Sequence, residues 1–350
     1  MSNRIYYLDA LRILASFAVI VLHVSAKSFD IYDSSQWIVA DIYDSMTRWC
    51  VPVFVMISGA LFLDPNRDIS FKTIFTKNIF RILTAFIFWS IVYAVYCHIF
   101  LTPMNTVGLI SEILIGHFHL WFLYMIIGIY LAVPILRQIA SNRELSKYFI
   151  LLSFIFAICI PHIIQIIGIV PAIKPIGSVL TNISSLFDFN IGAGFVGFFM
   201  LGHYLHTVRL SKNIEQSIFL VGIISFLIIA YLTYLIFQFS PETKSPFYEY
   251  LSPLVMFEAI AVFLLVKKYE KHYSKINLYI SKISKLSFGI YLVHMLVFYA
   301  IESVGINANI FNPIIGIPLM STLIFIISLI IALFISKIPY INKYILYLNY

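Results

Sequence analysis

Long apolar runs, each interrupted by a short polar cluster, recur along the whole of this chain. A helix needs roughly 20 mostly apolar residues to cross the hydrocarbon core of a bilayer. The runs at 8–26, 43–63, 82–101, 120–136, 148–169, 187–205, 218–239, 251–266, 286–304 and 314–336 come near that length. They predict about ten transmembrane helices. The sixth and ninth runs are the least apolar, holding Asp188 with several glycines and His294 with Glu302 respectively. No connection between runs is long enough to build a soluble core. The expected fold class is therefore all-α, a polytopic membrane helical bundle. It forms one integral membrane domain over residues 1–350, with no soluble C-terminal domain. The opening run, preceded by Arg4 and containing Val24-Ser25-Ala26, has the look of a cleaved signal. Asp9 and Arg12 inside it, and the many runs that follow, favour a retained first span instead.

Composition agrees with the pattern. Hydrophobic residues make up 61% of the 350 residues and charged ones 11%, against roughly 45–50% and about 25% in soluble proteins. The basic residues then give direction. One alternating set of connections holds Arg4; Arg67, Lys72, Lys77 and Arg81; Arg137, Arg143 and Lys147; Arg209 and Lys212; the lysines 267, 268, 271, 275, 282 and 285; and Lys337 and Lys343. The opposite set holds only Lys27, Lys174 and Lys244. Lys and Arg concentrate in cytoplasmic loops, so both termini are expected in the cytoplasm, in a multi-pass protein of the inner (cytoplasmic) membrane. The net charge of +7 is then a topology signal, the expected partner is the lipid bilayer, and nucleic acid is not. Cys50, Cys97 and Cys159 all lie in apolar runs without metal-ligand spacing. They read as buried free thiols, and no metal is expected.

Ionisable residues inside spans need a partner, a cavity or a function. The first span carries the densest set, Asp9, Arg12 and His23. Eleven residues is close to three helical turns, so Arg12 and His23 face the same way, about 16 Å apart along the axis. Asp9 lies one turn before Arg12 and is placed to support it. Arg12 falls on the cytoplasmic side of the bilayer centre and His23 towards the far side. Snorkelling is the alternative for an isolated Arg12, and packing against a neighbouring helix the alternative for an isolated His23. Their shared face favours a polar channel.

Other spans add further candidates. Arg48 precedes Pro52, which can loosen the helix near the outer face and leave Arg48 to an extracellular anion or to the interface. His117, His119 and Trp121 sit at the entrance of the fourth span, as an aromatic belt or as the mouth of the cavity that holds His23. Glu258 in the eighth span and His294 in the ninth are either structural or functional. His98 and His162 read as interface residues. His203 and His206 read as helix-end residues. Lys72, Lys77 and Arg81 form a basic cytoplasmic stretch that suits either topology or the phosphates of a nucleotide-like cofactor.

Four motifs in order, the Arg12-x10-His23 pair, Val51-Pro-Val-Phe-Val-Met-Ile-Ser-Gly59, His119-Leu-Trp-Phe-Leu-Tyr124 and Ser287-Phe-Gly-Ile-Tyr-Leu-Val-His294, resemble those of the acyltransferase-3 family of integral membrane acyltransferases. The resemblance is to its short members, of the enterobacterial common antigen O-acetyltransferase kind. The resemblance spans essentially the whole chain. It implies ten spans, acetyl-CoA as a cytoplasmic donor, and an acceptor hydroxyl on a surface glycan or lipid-linked oligosaccharide. It makes Arg12 and His23 the functional pair. Many relatives also carry Arg-x-x-Arg before the third span; here Arg81 matches, Asn78 stands at the other position, and Lys77 adjoins it.

The residues themselves suit such a reaction. Acyl transfer needs a base near the acceptor and stabilisation of an oxyanion. His23 is the best base, and Arg12, Lys77 and Arg81 are placed to hold a donor from the cytoplasm. Tyr124, His119 and His294 are further hydrogen-bond donors. A polytopic transporter would use the same residue types, but carriers often show internal repeats, and the polar motif of the first span has no counterpart in the sixth.

Overall fold

A computed structural model describes residues 4–29, 34–67, 69–186, 193–240, 245–273 and 276–338. The main helices are α1 (Tyr6–Ser28), α2 (Ser34–Thr47), α3 (Cys50–Phe62), α4 (Phe71–Leu101), α5 (Thr106–Ile115), α6 (Trp121–Ala140), α7 (Arg143–Ile169), α8 (Lys174–Leu186), α9 (Ala193–Thr207), α10 (Lys212–Phe239), α11 (Pro253–Lys268), α12 (Asn277–Ser303) and α13 (Pro313–Ser336). Among the described residues there is no strand, and nine helical segments are long and apolar enough to cross a membrane. They correspond to nine of the ten runs. The sixth run yields α9, only 15 residues long; its first part, residues 187–192 with Asp188, lies outside the described residues.

Local chemistry sets many of the helix ends. Side-chain oxygens of Asn105, Asn142 and Asn312 accept from the first backbone N–H groups of α5, α7 and α13, satisfying donors that have no intrahelical partner. Pro253 and Pro313 occupy first-turn positions of α11 and α13, where a missing N–H costs nothing. The second predicted span is longer than expected, because α2 extends it outward, and it breaks at Arg48–Trp49. Pro52 therefore falls in the first turn of α3 and does not itself interrupt a helix. Short amphipathic helices α5 and α8, absent from the predicted spans, fill two of the connections on the side poor in Lys and Arg. Both α4 and α7 contain π-helical stretches, at Ile74–Ile79 and Cys97–Leu101 in α4 and at Ser153–Cys159 in α7.

Helix α1 is the hub. Tyr7, Leu8, Leu11, Ala15, Ile20 and Val24 are buried, and α1 packs against α2, α3, α11, α12 and α13. By contrast α10 turns Leu220, Ile223, Leu227 and Tyr231 outward, as a lipid-facing helix does. Without a hydrophobic force between helices in lipid, close association needs small residues. The tightest pair, α3 with α9, supplies them. A Cβ on Gly59 would lie 1.8 Å from the carbonyl oxygen of Phe199, and one on Gly202 would lie 2.1 Å from that of Met56. The two backbones touch at both glycines, which locks α3 in place beside α1.

Substituting Gly202→Leu is expected to force the α3 and α9 backbones apart and to destabilise the bundle by at least about 1–3 kcal/mol. Thermal unfolding in detergent should fall clearly below that of wild type; an unchanged transition would contradict the backbone contact.

Candidate active site

Between α1, α3, α4, α6 and α12 lies a cavity of about 660 Å³, within the range of ligand sites. Arg12, Val19 and His23 line it from one face of α1, as the eleven-residue spacing requires. From α3 come Phe54, Ile57 and Ser58, from α6 Phe122, Ile126 and Tyr130, and from α12 Ser284, Lys285, Ser287 and Tyr291. Thr73, Asn78 and Arg81 line it from α4, and Trp121 and Tyr250 close the opposite end.

The two ends differ in chemistry. At one end stand Arg12, Arg67, Arg81 and Lys285, with no carboxylate among the lining residues. Low-dielectric walls around several like charges focus a positive potential there. Asp9 organises this end from behind. Its carboxylate accepts from Arg4 Nε at 2.6 Å and from Ser284 Oγ at 2.7 Å, and lies 3.7 Å from Arg12. That ties α1 to α12 and leaves the Arg12 side chain 34% accessible, facing the cavity. Arg137 fixes the neighbouring connection: it donates to the carbonyls of Phe62 at 2.6 Å and Asp64 at 3.2 Å, and to that of Arg67 at 2.8 Å. These are the free carbonyls at and beyond the end of α3, and holding them positions Arg67.

The far end is a histidine cluster. His23 stacks on His294 with ring centroids 5.4 Å apart, and His294 lies 5.2 Å from His119. His117 and His119 face each other through their Nδ1 atoms at 2.9 Å. Gly116 makes this possible. Its φ of +82° ends α5, and a Cβ there would sit 2.6 Å from the Phe86 ring, so the turn that aims the two histidines inward needs glycine. Hydrogen bonding assigns one tautomer: His294 Nδ1 lies 2.6 Å from the Tyr291 carbonyl, which only accepts, so Nδ1 carries the proton and Nε2 the lone pair. The Nε2 atoms of His119 and His294 are buried with no protein partner. Tyr291 donates to the carbonyl of His119 at 2.6 Å, pinning the turn before α6 to α12 beside the cluster.

Comparison with known families decides the class. A family model described as an acyltransferase domain matches residues 5–337. The chain belongs to the acyltransferase-3 family. Neither the curated proteins nor the solved structures gave a match.

Within this acyltransferase the structure brings together Arg12, His23, Arg81 and His119 on the cavity, with Asp9 and His294 directly behind it. It corrects other candidates. Arg48 is not left for an external anion: it pairs with Asp44, donates to the Tyr248 carbonyl at 3.1 Å and lies 3.9 Å over the Tyr248 ring. Tyr124 does not face the cavity; its hydroxyl donates to the Leu114 carbonyl and its ring packs on Phe86. Lys77 is exposed and off the cavity, while its neighbour Asn78 lines it. Glu258 is buried but does not line the cavity. His162 is buried beside Phe247 and is not an interfacial residue. His203 and His206 do lie at the end of α9, as expected; His203 is buried there and the Nδ1 of His206 meets the Tyr7 hydroxyl at 2.5 Å. Arg67, Lys285, Tyr250 and Tyr291 are lining residues that sequence reasoning did not single out. Arg67 and Lys285 were visible only as topology charges.

Because Tyr291 holds His119 and Tyr124 holds only a peripheral helix end, Tyr291→Phe is expected to lower the acyl-transfer rate about tenfold, the equivalent of one lost hydrogen bond. Tyr124→Phe should stay within about twofold of wild type. Steady-state kinetics on the two purified variants would check this, and equal losses would remove the distinction.

Proposed function

We propose that this acyltransferase is an O-acetyltransferase that moves an acetyl group from cytoplasmic acetyl-CoA to a hydroxyl of a surface glycan or its lipid-linked oligosaccharide precursor, in the inner membrane. The observation that carries the reading is one cavity with a cationic cytoplasmic end and a histidine far end, joined along the single face of α1 that bears Arg12 and His23. The phosphates of a CoA thioester match Arg67, Arg81, Lys285 and Arg12 in charge. Its pantetheine arm is slender enough to pass Phe54, Ile126 and Tyr130 towards His23.

His23 is the base. It lines the cavity, and among the described residues its ring nitrogens make no hydrogen bond to the protein. The acceptor hydroxyl gives its proton to His23 while its oxygen attacks the thioester carbonyl. The resulting oxyanion is stabilised by hydrogen-bond donors of the histidine end. If His117 Nδ1–H donates to His119, the unpartnered His119 Nε2 carries a proton and is such a donor. Collapse breaks the carbon–sulfur bond, leaves the ester, and sends the proton from His23 to the departing thiolate. Burial of the cluster keeps water from competing for the thioester.

Two experiments test the reading. Replacing His23→Ala should abolish O-acetylation while the protein still inserts and purifies normally; glycan from such a strain with normal O-acetyl signals by NMR would sink the assignment. Radiolabel from acetyl-CoA should pass to glycan with purified wild type. In the same assay Arg81→Ala should raise the KM for acetyl-CoA by roughly tenfold or more, as expected for a lost charge-assisted phosphate contact, whereas Lys77→Ala should have little effect. Similar responses of the two would place the donor elsewhere.

A further inference from the structure

Outside the cavity, at the end of the bundle opposite the cationic mouth, three side chains from three segments converge. They are Cys97 in the last turns of α4, Glu112 of α5 and His117 just beyond Gly116. The cysteine sulfur, a carboxylate oxygen and a ring nitrogen all lie within 4.8 Å of one another. Cys97 and His117 are buried and Glu112 is partly so. Yet no hydrogen bond or ion pair joins the three, and no Lys or Arg among the described residues pairs with Glu112. A carboxylate beside a thiol at a low-dielectric site, without a cation, lacks a counter-charge.

We propose that Cys97, Glu112 and His117 bind a divalent metal ion of the zinc class. A thiolate, an imidazole and a carboxylate are the ordinary donors for zinc, while calcium and magnesium avoid sulfur. On binding, the Cys97 thiol loses its proton to water, and thiolate plus carboxylate balance the two positive charges of the ion. His117 then ligates through Nε2 and donates Nδ1–H to His119 at 2.9 Å. Ligating histidines usually fix their other ring N–H in this way. Three protein ligands leave a fourth position, beside which stands the Tyr299 hydroxyl, 3.2 Å from His117 Nε2. The ion holds His117, and through it the tautomer of His119, in the histidine end of the cavity. Its role is positioning, and the site is independent of which acyl donor or acceptor is used.

The full-length protein, purified in detergent through an affinity tag without histidines, is loaded with zinc and dialysed against metal-free buffer. Elemental analysis should find about one zinc ion per chain. Cys97→Ser and Glu112→Gln should each lower zinc affinity by more than the 10- to 100-fold that loss of an outer-shell partner costs. Cys159→Ser, which alters a free thiol elsewhere, should retain the metal. Cobalt added to unmodified protein should give an ultraviolet sulfur-to-cobalt charge-transfer band, and this reading does not depend on any variant folding. Absence of that band at saturating cobalt, zinc no higher than in buffer, or undiminished zinc in a folded Cys97→Ser protein would each overturn the site.

Discussion

Hydrocarbon supplies no hydrogen-bond partner, so every polar group inside this bundle must be satisfied by another segment or by a polar cavity. The structure is organised by how that requirement is met. Asp9, on the most central helix, collects Arg4 and Ser284 and stands beside Arg12. It thereby fixes the register of α1 against α12 and leaves a guanidinium facing the cavity. Asp44, Arg48 and Tyr248 form a second charge-paired group at the break between α2 and α3. Arg137 and Lys267 act in the same way on helix ends: Lys267 donates to the carbonyls of Leu205, His206 and Val208 at 2.7–2.9 Å, as Arg137 does beyond α3. These two cations close α3 and α9.

Close packing supplies the rest of the frame. Gly59 and Gly202 let α3 and α9 meet at the backbone, and Gly116 turns the chain so that His117 and His119 point inward. With α1, α3 and α12 held by these contacts, Arg12, His23, Arg67, Arg81, His119 and Lys285 come to line one cavity. Its cations and its histidines sit at opposite ends because α1 crosses the bundle once and carries one of each kind on a single face.

Much of this was legible in the chain. The apolar runs fall on the observed spanning helices within a few residues at most ends, and the Arg12–His23 spacing placed both residues on the cavity. The failures have a common form. Arg48, Tyr124 and Lys77 are the right residue types near the right ends of spans, but helical periodicity says which face a residue occupies and not which neighbour covers that face. Tyr124 and Tyr130 differ by under two turns on α6, yet the first is turned to the Leu114 carbonyl and the second to the cavity. Likewise Arg67 and Lys285 have the same sequence signature as any cytoplasmic loop cation.

The sequence alone determined the solvent, the number of apolar spans to within one, and that Arg12 and His23 share one face of α1. Each of these depends on local hydropathy or on the fixed pitch of one helix. Only the tertiary structure decided which polar residues share the cavity, which are consumed in holding helix ends, and that Cys97, Glu112 and His117 converge. Those outcomes depend on contacts between segments far apart in the chain, set by where small residues let helices approach and by which buried charges find partners. No single helix encodes them.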